Sequence, residues 1–145
     1  MSTLDSHGPN EPHLTDDDRR AQGFAVRRDV LSDGHVDRAI AKTTWLTEDF
    51  QDFITRVAWG EVWSRPQLDR RTRSVVVLSS LITGGHHAEL KMHLVAAYRN
   101  GLSVSEIREI ILQSAIYAGV PNANAAYRVA AEVFGDGSII PPDPE

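Results

Sequence analysis

The densest chemistry in the chain lies in the stretch GGHHAELKMHL, where Glu89 and His93 stand four residues apart. If that stretch is helical, the two side chains share a face, one turn above the other. A carboxylate beside an imidazole orients a proton-transfer group and raises its basicity. The spacing alone also describes an ordinary solvated pair on an exposed helix. His86 falls close to the same face, three residues before Glu89 and seven before His93. This leaves a two-histidine, one-carboxylate metal site as an alternative, although the order is not H-E-x-x-H and no metal is expected. His87 reads as a surface residue, and His7, His13 and His35 fall in or near weakly structured segments and carry no argument.

A second group with chemical potential is Arg65, Arg70, Arg71 and Arg73. The last three open a predicted helix, where cations oppose the helix dipole, so an acid should compensate them. Asp69, Glu61, a neighbouring subunit's carboxylate and an anionic substrate are the candidates. Basic residues are lopsided, with 13 Arg against Lys42 and Lys91. Codon usage accounts for that as readily as bidentate carboxylate recognition does. Trp45, Trp59 and Trp63 precede the arginines. Trp59 and Trp63, four apart, should share a face; for all three tryptophans core packing is the first expectation and pocket lining the second. Tyr117, Asn122 and Asn124 are further polar candidates, each equally suited to capping or packing.

The elements that must position these groups read as helices. The chain has 145 residues, 41% hydrophobic and 24% charged, the size and composition of one ordinary globular domain. No apolar run approaches the roughly 18 residues that span a bilayer. No signal-like segment opens the N-terminus, so a cytoplasmic location is expected. With no cysteine there is no disulfide, no thiolate ligand and no thiol redox chemistry. A net charge of −5 disfavours nucleic acid as a partner.

Residues 1–18 read as a loosely attached tail, 19–136 as the helical domain and 137–145 as a second tail. Start and stop signals predict a helix over 16–32, a short piece at 35–42 and a helix over 48–63 capped by Thr47. The 48–63 helix should bury Phe50, Phe53, Ile54, Val57 and Ala58. Further helices follow over 69–83, 86–99, 104–118 and 121–134. The 104–118 helix opens on the capping box Ser103–Glu106, Gly101 and Gly119 act as stops, and Pro121 sits in a first turn. The outcome is an all-α, single-domain bundle of about six helices. Apolar faces such as Val75/Val76 and Ile107/Ile110/Ile111 suggest that the chain associates with copies of itself.

Three stretches, RRDVLSDGHVDRA, DFQDFITRVAWGEVWSRPQLDRRTRS and ELKMHLVAAYRNGLSVSEIREIILQSAIYAGVPNANAAYRVA, together resemble the γ-carboxymuconolactone decarboxylases. The runs W-G-x-x-W-x-R-P-x-L-x-x-x-T-R-S and Y-x-G-x-P-x-A-N-A are specific in combination. The resemblance implies an alkylhydroperoxidase-D-like helical fold assembling as trimers or hexamers. It implies cofactor-free decarboxylation of 4-carboxymuconolactone to 3-oxoadipate enol-lactone, in the protocatechuate branch of the β-ketoadipate pathway. Thiol-redox relatives of that fold carry C-x-x-C-x-x-x-H. Aligning the histidine on His93 puts His86 and Glu89 at the cysteine positions, which argues against peroxidase activity here. On this reading His93 and Glu89 are the catalytic pair, and Arg73 with Arg70 or Arg71 receives the carboxylate that is retained. His86, Trp63, Tyr117, Asn122 and Asn124 complete the candidate substrate-binding set. Decarboxylation or isomerisation of another lactone or β-keto acid on the same fold is the alternative activity, and a non-catalytic binding module the remaining one.

Overall fold

The structure, a computed structural model, describes residues 13–141. Most of the two predicted tails lies outside them. Seven α-helices run in chain order: α1 (Asp16–Leu31), α2 (Asp33–Ala41), α3 (Glu48–Phe53), α4 (Arg70–Gly84), α5 (His87–Arg99), α6 (Val104–Ala118) and α7 (Val120–Phe134). A π-helical segment, Ile54–Val62, continues α3 directly. The described residues contain no strand. None of their helices is long and apolar enough to cross a membrane.

The helices pack as two regions. Helices α4, α5, α6 and α7 enclose the main core, built on Leu78, Ile82, Leu90, Leu94, Ile107, Ile111, Val129 and Phe134. Their ends follow the local signals. Asp69 accepts the Thr72 amide at the start of α4, and Gly85 closes it in a left-handed conformation. The Ser103–Glu106 box is formed in both directions at the start of α6. Association of copies was expected to involve Ile107 and Ile111, but these face inward and are almost wholly buried within one chain. The apolar groups that α6 presents outward are Leu112, Ile116 and Tyr117.

The second region is α1 laid along the π-helical segment, with a smaller cluster of Val26, Val30, Leu31, Trp59 and Ala96 between them. Here the backbones nearly touch. A Cβ on Gly23 would lie 1.9 Å from the Thr55 carbonyl oxygen, and one on Gly60 would lie 2.2 Å from the Arg19 carbonyl oxygen. Only glycine allows that approach. Thr15, rather than the acidic run after it, caps α1 and forms a reciprocal box with Asp18.

The single helix expected over 48–63 is therefore two windings. Its buried face is Thr55, Trp59 and Gly60, whereas Phe50 and Phe53 are exposed. The three-and-four spacing of apolar residues misplaced that face, because contact with α1 is set by the Thr55 and Gly60 backbone and by Trp59, and not by the phenylalanines. Thr47 also makes no side-chain cap to α3; its hydroxyl accepts instead from the Thr44 amide. Trp45, read as core, is 86% exposed.

Candidate active site

Helix α5 belongs to both regions. Leu90, Leu94 and Ala97 enter the main core, while Ala96 and Met92 turn toward α1 and the π-helical segment. His93 is carried on the same helix. Its ring lies 6.5 Å from that of Trp59 and 6.4 Å from that of Trp63, with interplanar angles of 10° and 18°. The two indoles stack on each other at 5.1 Å. The segment that carries them is π-wound: the Trp63 amide donates to the Ala58 carbonyl, five residues back. Such segments are uncommon and concentrate at functional sites.

Burial pushes the His93 imidazole down to about 4, with a smaller contribution from His35 and an opposing one from Glu89. At neutral pH it is an uncharged ring with one N–H to donate. Glu89 itself is exposed and acts on His93 through its charge, not through a hydrogen bond. The imidazole thus lies inside the site and the carboxylate at its rim.

His35 was given no role from the sequence, yet the structure brings it to the site. It sits on α2, half-buried, where its field reaches His93. Its own basicity is lowered by burial first, then by Arg27, Arg38 and Lys42. Arg27 was also missed. It is only 6% exposed, and its guanidinium donates to Gln51 Oε1 and Thr55 Oγ1, each at 3.3 Å. Its Nε is buried without a partner. One signal could have found it: Gly23, Val26, Arg27 and Val30 fall at i, i+3, i+4 and i+7, which puts an arginine in the buried stripe of α1.

The other candidates are dispersed. Arg70 pairs with Asp29 at 3.2 Å and Arg71 pairs with Glu106, so acids of this chain answer the unfavourable charge at the start of α4. Glu61, one expected partner, lies instead near Arg19. Arg73 donates to the Arg65 carbonyl at 2.9 Å, and its Nε is buried and unpartnered. His86 is exposed at the start of α5 with its ring folded over Gly84. Among the described residues no three His, Asp or Glu side chains gather as a metal ion would require.

Asn122 caps backbone, donating to the Ala118 carbonyl at 2.9 Å and more weakly to that of Thr83. Asn124 is exposed. Tyr117 is 84% exposed, on the rim of a shallow cavity of about 260 Å³ between α4 and α6 that also holds Ser79 and Gln113. A larger hollow of about 640 Å³ between α6 and α7, lined by Ile107, Arg108, Tyr127 and Asp136, contains none of the candidates.

Fold and site together define a helical-bundle protein whose buried chemistry is an imidazole beside two indoles, without a thiol. Residues 48–132 match the model of the carboxymuconolactone decarboxylase family. The chain is 47% identical over 128 residues to a 4-carboxymuconolactone decarboxylase from Acinetobacter baylyi, covering 88% of this chain and 96% of that one. It is 39% identical over 115 residues to the nitrosuccinic acid decarboxylase of Metarhizium robertsii, covering 79% and 80%. A 4-carboxymuconolactone decarboxylase from Pseudomonas putida is 49% identical over 39 residues, 27% of this chain and 81% of that one. The chain belongs to the carboxymuconolactone decarboxylase family.

Proposed function

We propose that the chain decarboxylates 4-carboxymuconolactone to 3-oxoadipate enol-lactone, as a cytoplasmic step of protocatechuate breakdown through the β-ketoadipate pathway. The carrying observation is His93, a neutral imidazole held against Trp59 and Trp63 in a chain 47% identical to a decarboxylase of that substrate. The substrate explains why so little equipment suffices. Its departing carboxylate is on the ring carbon next to the lactone oxygen, and the ring C=C is conjugated to the lactone carbonyl. When the bond to CO2 breaks, its electron pair moves through that C=C onto the carbonyl oxygen and leaves a furan-like dienolate. The electron sink belongs to the substrate, so no cofactor is called for.

What remains for the protein is to hold the anion, stabilise the oxyanion and return a proton to the carbon beside the carbonyl. His93 fits the second task as a hydrogen-bond donor to the lactone oxygen, because an uncharged imidazole still carries an N–H. Stacked indole faces exclude water, which strengthens that bond. Glu89, at the rim and open to solvent, is the route by which a proton reaches carbon. Of the α4 arginines, Arg73 has no acid partner among the described residues, whereas Arg70 and Arg71 are engaged.

The test is the ultraviolet loss of carboxymuconolactone with folded His93→Ala and Glu89→Gln. A fall of about 10²-fold or more in kcat is expected for His93→Ala. Near-wild-type turnover in both variants would remove the assignment.

A second reading, another acid carrying its own electron sink, is favoured by the resemblance to the nitrosuccinic acid decarboxylase. A nitro group beside the breaking bond takes up the electron pair as a conjugated lactone does. Comparing turnover of the two acids separates these readings. Assembly as a homotrimer or homohexamer is also proposed, supported by the outward apolar groups Trp45, Leu46, Phe50 and Phe53 on one segment and Ile116, Tyr117 and Val120 on another.

A further inference from the structure

Helix α1 carries four arginines, and three of them are ion-paired: Arg19 with Asp16, Arg20 with Asp17 and Asp52, and Arg28 with Asp33 and Asp37. The fourth, Arg27, is the most deeply buried, yet it has no acid among the described residues. Two neutral oxygens, from Gln51 and Thr55, accept from its terminal nitrogens, and Nε has no acceptor. A buried guanidinium without a counter-charge is costly, since desolvation is not offset by attraction. The cost is compounded on the side that faces α2, where Arg27, Arg38 and Lys42 all bear on His35. Neither Arg38 nor Lys42 is ion-paired among the described residues. Arg27 is hydrogen-bonded to Thr55, one turn before Trp59 on the π-helical segment, and His35, on which it bears, acts in turn on His93. On α4, Arg70 and Arg71 are already paired with Asp29 and Glu106.

We propose that this cationic cluster, anchored by Arg27 with His35 as a second donor, receives the carboxylate that the substrate keeps. The inference rests on the decarboxylation reading above and assigns to α1 and α2 a task that sequence placed on α4. Chemistry selects the retained carboxylate and not the departing one. Strong hydrogen bonds to the departing group would stabilise the ground state and fade as CO2 becomes neutral, so they would raise the barrier. A carboxylate fixed at Arg27 leaves the lactone ring to lie toward the indoles and His93. Gln51 and Thr55 hold the guanidinium in place before the anion arrives, so little ordering remains to be done on binding. Arg27 and His35 lie outside the segment 48–132 that the family model matches.

The experiment uses the full-length protein and the variants Arg27→Met and Arg27→Lys. Three readouts are needed: thermal unfolding, KM and kcat for carboxymuconolactone, and calorimetric binding of 2-furylacetate against its uncharged methyl ester. The wild type should bind the acid at least about ten times more tightly than the ester. Arg27→Met should abolish that preference and raise KM at least tenfold while keeping or raising the melting temperature, because replacing an uncompensated buried charge with an apolar chain relieves its desolvation. Arg27→Lys should recover part of the preference. If Arg27 only ties α1 to the π-helical segment, Arg27→Met will melt earlier with acid preference and KM unchanged, and the proposal is overturned. A wild type that prefers the acid through Arg27 but leaves carboxymuconolactone intact would sink the reaction assignment and keep the receptor. Turnover with no dependence on Arg27 would do the reverse.

Discussion

The α1–π pair and the α4–α7 core are built on opposite principles. The α4–α7 core is leucine, isoleucine, valine and alanine with Phe134, and the polar residues buried in it, Ser74 and Ser114, are both hydrogen-bonded. The α1–π pair has a far smaller apolar cluster. It nevertheless buries a guanidinium, a threonine and two glycine crossings, and it stacks two indoles against an imidazole. Stability in the first region comes from apolar area, with each fully buried large side chain contributing about 1.5–3 kcal/mol. In the second, a buried guanidinium without a counter-charge works against stability, and the proposed chemistry supplies its rationale. One half of the molecule carries the other.

Substitutions in matched positions can break or sharpen this contrast. The largest effect is expected from Gly60→Ala, whose methyl would lie 2.2 Å from a backbone oxygen of α1 that cannot move unless the helices part. A loss of roughly 3 kcal/mol or more is expected, with near-ultraviolet circular dichroism of the tryptophans and activity lost together. If the variant keeps both, the close crossing is not what sets the site.

Ile111→Ala in the α4–α7 core should cost about 2–5 kcal/mol in chemical denaturation. It should leave kcat/KM unchanged at low temperature, where the variant is still folded; a drop in kcat/KM there would show that the scaffold and the site are not separable.

His93→Gln tests the buried imidazole by its pH signature. Between about 4 and the ordinary value of 6.5 the unfolded chain binds a proton at position 93 that the folded chain refuses. Wild-type stability therefore rises with pH across that window and falls as pH drops through it, by on the order of 2–3 kcal/mol. The variant should lose most of this acid sensitivity, apart from the share due to His35, whose basicity is lowered in the same sense. Equal acid slopes for the two proteins in urea titrations would contradict the burial of the ring.

The smallest effect should come from Gly84→Ala. Its methyl meets only the His86 imidazole, at 2.6 Å, and that exposed ring can swing away. A change within about 1 kcal/mol, and toward greater stability, is expected from the gain in helix propensity. A loss comparable to that of Gly60→Ala would remove the distinction between the two regions.

The same contrast decides what could be read in advance. In the α4–α7 core each boundary has a local cause. Gly85, Gly101, Ser103 with Glu106, and Gly119 before Pro121 all act over three or four residues, and the helices start or stop within a residue or two of the expected places. The α1–π pair is held by contacts that no short window contains. Gly23 meets Thr55, and Arg27 meets Gln51 and Thr55, more than twenty residues away. π-Winding leaves the same composition as an ordinary helix, so Phe50 and Phe53 drew the buried face to themselves and were found outside. That His93 and Glu89 stand on one helix near each other was legible from spacing, but their unequal depth was not. The isolated glycines at 23 and 60 were the available hint, since glycine inside a helical pattern marks a close approach.

Because α5 sends Leu90 and Leu94 one way and Met92 and Ala96 the other, it is a party wall between two rooms. Neither room can lose that wall and stand. The amides of α5 should therefore exchange with solvent only as fast as the whole chain opens, and the orientation of the His93 ring is guarded by the global unfolding barrier and not by local fraying.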